Sequence, residues 1–248
     1  MGLRSSFRSL RKRLKRSPER IDCGLLIAVN FLLDLETIIS YYMTMMNQQT
    51  KSGRPAGRPR EFDTDVALDA ALVVFSERGY QAASISELAE AMGLTAGSIY
   101  KAFGDKRGVF LAAFDRYWSV RHAMILKRMA PLKTGREKLF ALLQHYAEHA
   151  HGAAGRRGCL VVGGANDLSL LDVEASARVG QAFTANQQRL KDQIVIGQAD
   201  GSIRADLNAD VISSALLCLT MGMRVVGKTG RTEDEMQAVA QAALRLLD

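Results

Sequence analysis

The chain has 248 residues, enough for one large or two modest domains with a buried core. Few prolines and only 6% aromatic residues favour helices over sheets. The three cysteines, Cys23, Cys159 and Cys218, have no metal-ligand spacing and form no disulfide framework, so a reducing cytoplasm is expected. Residues 1–50 carry a net charge of +4, residues 51–130 carry +3, and the remainder carries zero. This distribution favours a polyanionic partner, and a solubility effect is the alternative.

Residues 1–49 do not resemble the rest of the chain. A basic run, Arg4–Arg20, precedes an apolar run, an order typical of a signal peptide, but no small-residue cleavage site follows. Acidic residues interrupt the length that a membrane-spanning helix needs. We favour the interpretation that the natural start is Met45 or Met46. A genuine membrane anchor is the alternative.

The segment at residues 50–60 is rich in Gly, Pro and Arg and contains four basic residues but no acidic one. Such a composition buries no core and predicts a flexible basic arm. Arginines in an arm beside a DNA-binding helix enter the minor groove or lie along phosphates. Arg54, Arg58 and Arg60 are therefore candidate DNA contacts, and a solvated tail is the alternative.

A first helix is predicted to begin at Asp63 or Thr64 and to end at Gly79. Its apolar residues are expected to cover the helices that follow, and they are Val66, Leu68, Ala70, Leu72, Val73, Val74 and Phe75.

Two short helices joined by a tight corner are predicted between Ser84 and Phe103. Ser84 and Glu87 have the spacing of a capping box. Gly93 falls where a helix ends in the left-handed conformation, and Thr95 is placed to cap the next helix.

In that second short helix Ile99, Ala102 and Phe103 are predicted to point inward. The outer face is small, polar and basic, and consists of Ala96, Gly97, Tyr100 and Lys101. A helix with such a face, held at a fixed angle by a short turn, fits a DNA major groove.

A long helix is predicted from Lys106 to about Met129, capped by Asp105. Lys106 and Arg107 lie in its first turn, where positive charge opposes the helix dipole. An external anion such as a DNA phosphate would compensate that charge.

The stretch from Arg58 to about Tyr117 resembles the DNA-binding domain of the tetracycline-repressor (TetR) family of bacterial transcription regulators. The matching motifs are F-x-x-x-G-Y, S-I-x-x-L-A-x-x-x-G-L and S-I-Y-x-x-F-x-x-K, in that order. The resemblance implies an all-α fold with a three-helix helix-turn-helix domain at residues 61–121, whose motif spans 84–103. A larger helical domain at 122–248 would bind a ligand and form the dimer.

The resemblance also implies roles for individual residues. Ser84, Ser86 and Lys106 would contact phosphates. Lys101 is the best candidate for a base contact, through guanine O6 or N7. The residues that would face the major groove are Thr95, Ala96, Gly97, Ser98, Tyr100 and Lys101.

Four or five further helices are predicted in the second half. The expected segments are Gly135–His151, an irregular stretch at Gly158–Leu170, Asp172–Ala199, Asn208–Val226 and a last helix opened by a Thr232–Glu235 capping box. In TetR-like proteins this half contains a ligand cavity, and the last two helices, here about 208–227 and 232–247, pair with a second subunit. The apolar character of residues 212–226 favours a homodimer independently.

Six residues are candidate cavity-lining positions because they face inward by helical spacing. They are Trp118, Phe140, His145, Cys159, Asn166 and Met221.

Arg156 to Leu160 resembles the Gly-Cys-Leu element of one subgroup of TetR-like regulators. Two arginines and a helix N-terminus would lower the pKa of the Cys159 thiol, which predicts a sensor of electrophiles or oxidants. We favour the alternative, a small buried cysteine near the ligand cavity. Cys218, in the apolar helix, is expected in the core.

His145 and His149 are spaced as a metal-ligand pair. A partly exposed helix face is the preferred interpretation, so neither a metal nor a cofactor is predicted. The sequence contains no nucleophile elbow, P-loop, Rossmann glycine pattern or paired catalytic carboxylates, and an enzyme is not expected.

The sequence therefore predicts a cytoplasmic, homodimeric transcription regulator that binds double-stranded operator DNA. We expect a repressor that a small-molecule effector releases from a palindromic operator. The alternative is a regulator that the ligand activates. The alternatives are a redox or electrophile sensor acting through Cys159, and a membrane-tethered regulator that uses residues 1–49.

Overall fold

The structure is a computed structural model that describes residues 62–248. Within that range the chain forms α-helices and short 3-10 turns and no strand, which confirms the all-α prediction. The extension at 1–49 and the arm at 50–60, with Arg54, Arg58 and Arg60, lie outside the described residues. The helices are α1 (Thr64–Ala82), α2 (Ile85–Met92), α3 (Ala96–Phe103), α4 (Lys106–Met129), α5 (Gly135–Glu148), α6 (Gly152–Arg157), α7 (Leu160–Asn166), α8 (Val173–Asp200), α9 (Ala209–Val226) and α10 (Glu233–Ala243). The 3-10 turns are Leu168–Leu170, Gly227–Thr229 and Leu244–Leu247.

The ends of the first helices are set by the predicted capping residues. Asp63 caps α1, and Gly79 interrupts its helical geometry with φ 80° and ψ 169°. The Ser84–Glu87 capping box is present, and Gly93 adopts the left-handed conformation with φ 64° and ψ 31°. Thr95 caps α3 by accepting from the backbone N–H of Ser98. These local signals therefore fix the angle between α2 and α3, as predicted.

The N-terminal core is built where α1 packs on α4. Phe75 and Phe110 are buried there and meet edge to face, with ring centroids 5.3 Å apart. Two predictions about this region are wrong: Val66 is 64% exposed, and Ala102 is exposed rather than inward. The buried face of α1 is instead rotated toward Ala67, Leu68 and Ala71.

This N-terminal core also takes residues from far along the chain. Besides α1–α4 up to Tyr117, it includes Cys159–Val162 from the α7 region and Ala175, Val179 and Ala182 from the first half of α8. The C-terminal core begins at Ile125 on the same helix α4. The predicted boundary at residue 121 therefore falls inside a helix that contributes to both cores.

The C-terminal core lies among α5, α8, α9 and α10. At the start of α5, Gly135 meets α8 so closely that a Cβ there would lie 2.1 Å from the backbone N of Gly197. The Thr232–Glu235 capping box opens α10 as predicted. Helix α5 ends at Glu148, earlier than expected, because the short helix α6 follows it. The sequence pattern gave no sign of α6, since the helix has only six residues, two of them glycine, and no apolar side chain larger than alanine.

Helix α9 buries only one of its faces. Leu216 and Met223 are buried, whereas Val211 and Val225 are exposed. Cys218 is exposed as well, so its prediction as a core residue is wrong. By length and composition alone, the segment Ala209–Thr229 could cross a membrane, but one third of its apolar window is buried inside the protein.

Candidate nucleic-acid interface and interior cavity

Helix α3 presents its predicted outer face to solvent. Thr95, Ala96, Gly97 and Lys101 are exposed, and Tyr100 is 53% exposed although it is a large aromatic side chain. Ile99, between them, is fully buried against the N-terminal core. This anchor holds the open face of α3 away from the rest of the protein.

Hydroxyl groups near the two short helices already have partners within the chain. The Ser84 hydroxyl donates to a Glu87 carboxylate oxygen 2.9 Å away. The hydroxyls of Thr95 and Ser98 lie 2.9 Å apart. Ser86 is exposed at the start of α2. Ser84 and Thr95 are exposed as well, and Ser98 is partly exposed.

The side chain of Lys106 binds the backbone between α1 and α2. Its Nζ donates to the carbonyl oxygens of Gln81, at 3.2 Å, and Ala83, at 3.1 Å. It also lies 4.8 Å from the centroid of the Tyr80 ring. An ammonium group has three donors, so one N–H remains for a further acceptor beside Ser84.

The charge of Arg107 is compensated inside the chain. Its guanidinium pairs with the carboxylates of Asp172 and Glu174 at the start of α8. The hydrogen bond from Arg107 lowers the pKa of each of these carboxyls. The expected need for an external phosphate at Arg107 is therefore wrong, because α8 supplies the anions.

A cavity of about 20 Å³ lies among α4, α5, α7, α8 and α9, with room for about one water-sized molecule. One part of its wall is aromatic or aliphatic. This part is formed by Tyr117, Trp118, Ile125, Tyr146, Val161 and Met221. The polar part is formed by Arg121, His122, Cys159, Asn186 and Arg189.

Three of the six predicted cavity residues line this cavity, namely Trp118, Cys159 and Met221. The other three do not. Phe140 is half-buried against the C-terminal core, His145 is 3% exposed and bound to Arg121, and Asn166 is exposed at the end of α7.

Sequence reasoning missed the arginines of the cavity. Arg121 and Ile125 follow Trp118 at helical spacing on α4, and Arg189 follows Asn186 by three residues on α8. Extending the helical stripe from Trp118 would have found Arg121. No comparable signal in the sequence identified the turn of α8 that faces the cavity.

Cys159 is 7% exposed, and its Sγ lies 3.2 Å from the hydroxyl of Tyr117. Burial raises the pKa of this thiol, but the charges of Arg224 and Arg121 and the hydrogen bond with Tyr117 outweigh burial and lower it. The predicted role of Arg156 and Arg157 is not borne out, because the arginines that act on the thiol are different ones.

His145, Glu148 and His149 have ligand atoms within 4.8 Å of one another. Arg121 donates to His145 Nε2 at 3.2 Å, and Arg128 pairs with Glu148 at 2.5 Å. Two guanidinium groups at this distance oppose a cation. The expectation of a partly exposed helix face is wrong for His145, which is buried.

Together, the exposed helix of a helix-turn-helix motif and the enclosed cavity behind it define a ligand-responsive, DNA-binding transcription regulator. Residues 67–113 match the model for bacterial regulatory proteins of the tetR family, and residues 135–243 match the tetracyclin repressor-like C-terminal domain. The chain belongs to the TetR family, and proteins of this family are regulators, not enzymes.

Individual relatives agree with this assignment. The transcriptional repressor ComR of Escherichia coli is 27% identical over 194 residues, covering 77% of this chain and 91% of that protein. The transcriptional regulator AcuR of Cereibacter sphaeroides is 29% identical over 177 residues, covering 68% and 78%. A solved structure of a cysteine mutant of the TetR family regulator CifR with 26-bp operator DNA is 30% identical, with TM-score 0.67, covering 77% of this chain and all of that one.

Proposed function

We propose that this protein is a homodimeric repressor that leaves a palindromic operator when a small molecule enters the interior cavity. The observation that carries the proposal is the open face of α3, with Tyr100 and Lys101 exposed above a fully buried Ile99. Tyr100 offers an aromatic ring and a hydroxyl to a partner, next to the exposed ammonium group of Lys101.

The DNA contacts follow from position on α2, α3 and α4. Small residues at 96 and 97 let the backbone of α3 come close to the bases, and Lys101 reaches guanine O6 or N7. Ser86, Tyr100 and the remaining donor of Lys106 bind phosphates on either side of the groove. Ser84 joins them when its hydroxyl turns from Glu87 to a phosphate. Thr95 and Ser98 lie at the N-terminus of α3, the end that meets base edges in this kind of motif. Arg58 and Arg60 in the preceding arm extend the contact into the minor groove.

The dimer forms through α9 and α10. Asp210 in the first turn of α9 is exposed and pairs with Lys191. After it, the exposed residues of α9 are apolar or small, namely Val211, Ser214, Ala215, Cys218, Val225 and Val226. An apolar helix face of this length is unfavourable in water and fits a partner helix. A second copy of α9 and α10 completes a four-helix bundle. Two-fold symmetry then places two α3 helices about one turn of DNA apart.

The effector acts through α4, which contacts both the cavity and the DNA-binding domain. Tyr117 and Trp118 of α4 line the cavity, while Lys106 at the start of the same helix supports the α1–α2 junction. A ligand that enlarges the cavity moves α4 and shifts the population toward a spacing of the two α3 helices that no longer matches the groove.

The test is a footprint of the purified full-length protein on the DNA upstream of its own gene, followed by anisotropy titrations on the protected duplex. We expect a protected, nearly two-fold symmetric site. A scrambled duplex of equal length is the control. Equal affinity for the two duplexes at physiological salt would contradict the proposal.

A second candidate function is thiol sensing at Cys159, in the subgroup marked by the Gly-Cys-Leu element. Arg224 and Arg121 lower the pKa of its thiol despite burial, which favours the reactive thiolate. The thiolate would add to an alkene carbon of a small α,β-unsaturated carbonyl compound, forming a C–S bond, while the neighbouring carbon takes a proton from water. Cys159→Ser, made in a Cys218→Ser background, should abolish release from DNA by N-ethylmaleimide. The Cys218→Ser protein alone is the control, because Cys218 lies on the face proposed for the dimer. A full response in the Cys159 variant would reject thiol sensing.

The protein acts in the cytoplasm, where its DNA is. The competing idea, a membrane tether in residues 1–49, is decided by N-terminal sequencing of the native protein and by fractionation of the cell. Recovery of the protein with residues 1–49 in the membrane fraction would favour the tether.

A further inference from the structure

Arg224 on α9 is a buried cation with unused hydrogen-bond donors. Its side chain is 2% exposed. Its Nη2 donates to the carbonyl oxygen of Gly158, but neither Nε nor Nη1 has a hydrogen-bond partner among the described residues. Buried charged donors without acceptors are strongly unfavourable. A buried guanidinium with unpartnered N–H groups therefore indicates a binding site for a ligand that carries a hydrogen-bond acceptor.

Residues close to Arg224 form part of the wall of the interior cavity. Met221, one helical turn earlier on α9, lines the cavity, and so does Cys159, which directly follows the Gly158 acceptor. The charge of Arg224 also reaches the cavity residues Tyr117 and Tyr146, where it opposes the rise that burial produces in their pKa values.

The cavity has positive groups and no acidic lining residue among the residues described. Arg121 donates to the neutral acceptor His145 Nε2 at 3.2 Å. Arg189 donates to Asn186 Oδ1 at 3.0 Å and to His122 Nδ1 at 2.7 Å, with Asp192 acting on it electrostatically. Because Arg121 and Arg224 have only neutral hydrogen-bond partners, this part of the interior has a positive potential.

We propose that the cavity binds a small organic carboxylate, which accepts a hydrogen bond from an unpartnered donor of Arg224 while its apolar part packs against Trp118 and Met221. This inference rests on the proposed function, since it gives the effector its chemical class. A carboxylate is the anion that arginine donors match in shape at least cost in volume. The cavity of about 20 Å³ has room for about one water-sized molecule, so side chains of its wall must move as the carboxylate enters. A planar carboxylate asks for less of this movement than a bulkier, more strongly hydrated phosphate. Met221 is flexible and can yield to the ligand.

Calorimetric titration of the full-length protein, without DNA, tests this proposal. The probes are acetate, butyrate and benzoate, each compared with its neutral amide, and inorganic phosphate. We expect at least one acid to bind about tenfold or more tightly than its amide, because hydrogen bonds to charged groups are the stronger ones. Phosphate should bind more weakly than that acid. If no acid exceeds its amide, or if phosphate binds best, the proposal is overturned.

Arg224→Met should reduce binding of that acid about tenfold or more. Arg156→Met is the matched control, because Arg156 is an exposed arginine close to Cys159 in sequence, and it should leave binding unchanged. Undiminished binding in Arg224→Met would overturn the proposal. If that variant does not fold, Arg224→Lys, which keeps the charge but loses the planar donors, should weaken binding, and the comparison of acid with amide in the unmodified protein still decides.

The two proposals can fail separately. Specific operator binding without any preference for acids over amides would reject the carboxylate and leave the repressor. Preference for an acid without operator specificity would reject the repressor and leave the carboxylate site.

Discussion

The carboxylate of Asp167 accepts a hydrogen bond from the backbone N–H of Tyr80, with Oδ2 and N 3.1 Å apart. Asp167 directly follows α7, whose Val161 lines the cavity. Tyr80 follows Gly79 at the end of α1, and its ring lies beneath the ammonium group of Lys106. The Asp167 carboxylate therefore connects the helix that lines the cavity, α7, to the end of α1, where Lys106 also binds.

Replacement of this carboxylate should loosen the junction locally. Asp167→Ala leaves the Tyr80 N–H without its acceptor, and we expect a loss of about 1–2 kcal/mol in the free energy of unfolding. Hydrogen exchange of peptides covering residues 79–83 should become faster, while peptides from α10 should not change. Asp167→Asn retains an acceptor oxygen and is the control. Unchanged exchange at residues 79–83 in the alanine variant would show that the bond does not hold the junction.

Tyr100→Ala should weaken operator binding by about 1–2 kcal/mol without a change in melting temperature. The reason is that Tyr100 is 53% exposed and has no part in the core. Fluorescence anisotropy measures the affinity, and calorimetry measures the melting temperature. Val173→Ala, at an 88% exposed position on α8, is the control and should change neither. An operator affinity equal to that of the unmodified protein would remove Tyr100 from the interface.

Two lysines should respond differently to substitution. Lys101→Met should weaken operator binding without loss of stability, because Lys101 is exposed. Lys106→Met should also lower the free energy of unfolding by about 1 kcal/mol, since the Gln81 and Ala83 carbonyls lose a donor. If Lys106 neutralises a phosphate, the slope of log K against log salt should fall by about one unit. A normal salt slope with reduced stability would assign Lys106 a purely structural role.

Acid should destabilise the protein through His145. Burial lowers the pKa of His145 to about 2, and the charge of Arg121 acts in the same direction. Below the unfolded value of about 6.5, the unfolded chain binds a proton that the folded one does not, so stability falls as pH falls. Between pH 7 and pH 5 His145 alone should cost about 2 kcal/mol. His149, whose pKa burial lowers to about 4, adds a loss of the same sign.

Urea titrations at pH 7 and pH 5 measure this loss. His145→Gln, which keeps an acceptor for Arg121, should reduce the difference between the two pH values by about 2 kcal/mol. His151→Gln is the control. An unchanged difference in the His145 variant would show that this histidine is not kept neutral.

A charge on the outer face of α9 should break the dimer. Val211 is 61% exposed, so Val211→Glu disturbs little of the packing within one chain. Burying the carboxylate in a helix bundle without a partner is strongly unfavourable. Sedimentation should show a folded monomer with weakened operator binding. Leu170→Glu, at a 55% exposed site away from α9, should remain dimeric. A dimer that survives Val211→Glu would place the interface elsewhere.

The sequence was most informative where structure depends on neighbouring residues. Gly93 and the Thr232 capping box were predicted correctly because a cap is decided within four residues. Cys218 was placed in the core wrongly because composition shows that α9 is apolar but not which of its faces is covered. Arg224 was not recognised because the second half of the chain gave no way to know that an arginine of α9 lies near Cys159.

The N-terminal core draws on Cys159–Val162 and on the first half of α8. A fragment that stops at residue 121 would therefore expose the apolar surfaces that those later segments cover, and we expect it to aggregate. A chimaera that joins this DNA-binding domain to the C-terminal domain of a relative would therefore also need α7 and the beginning of α8 from this chain.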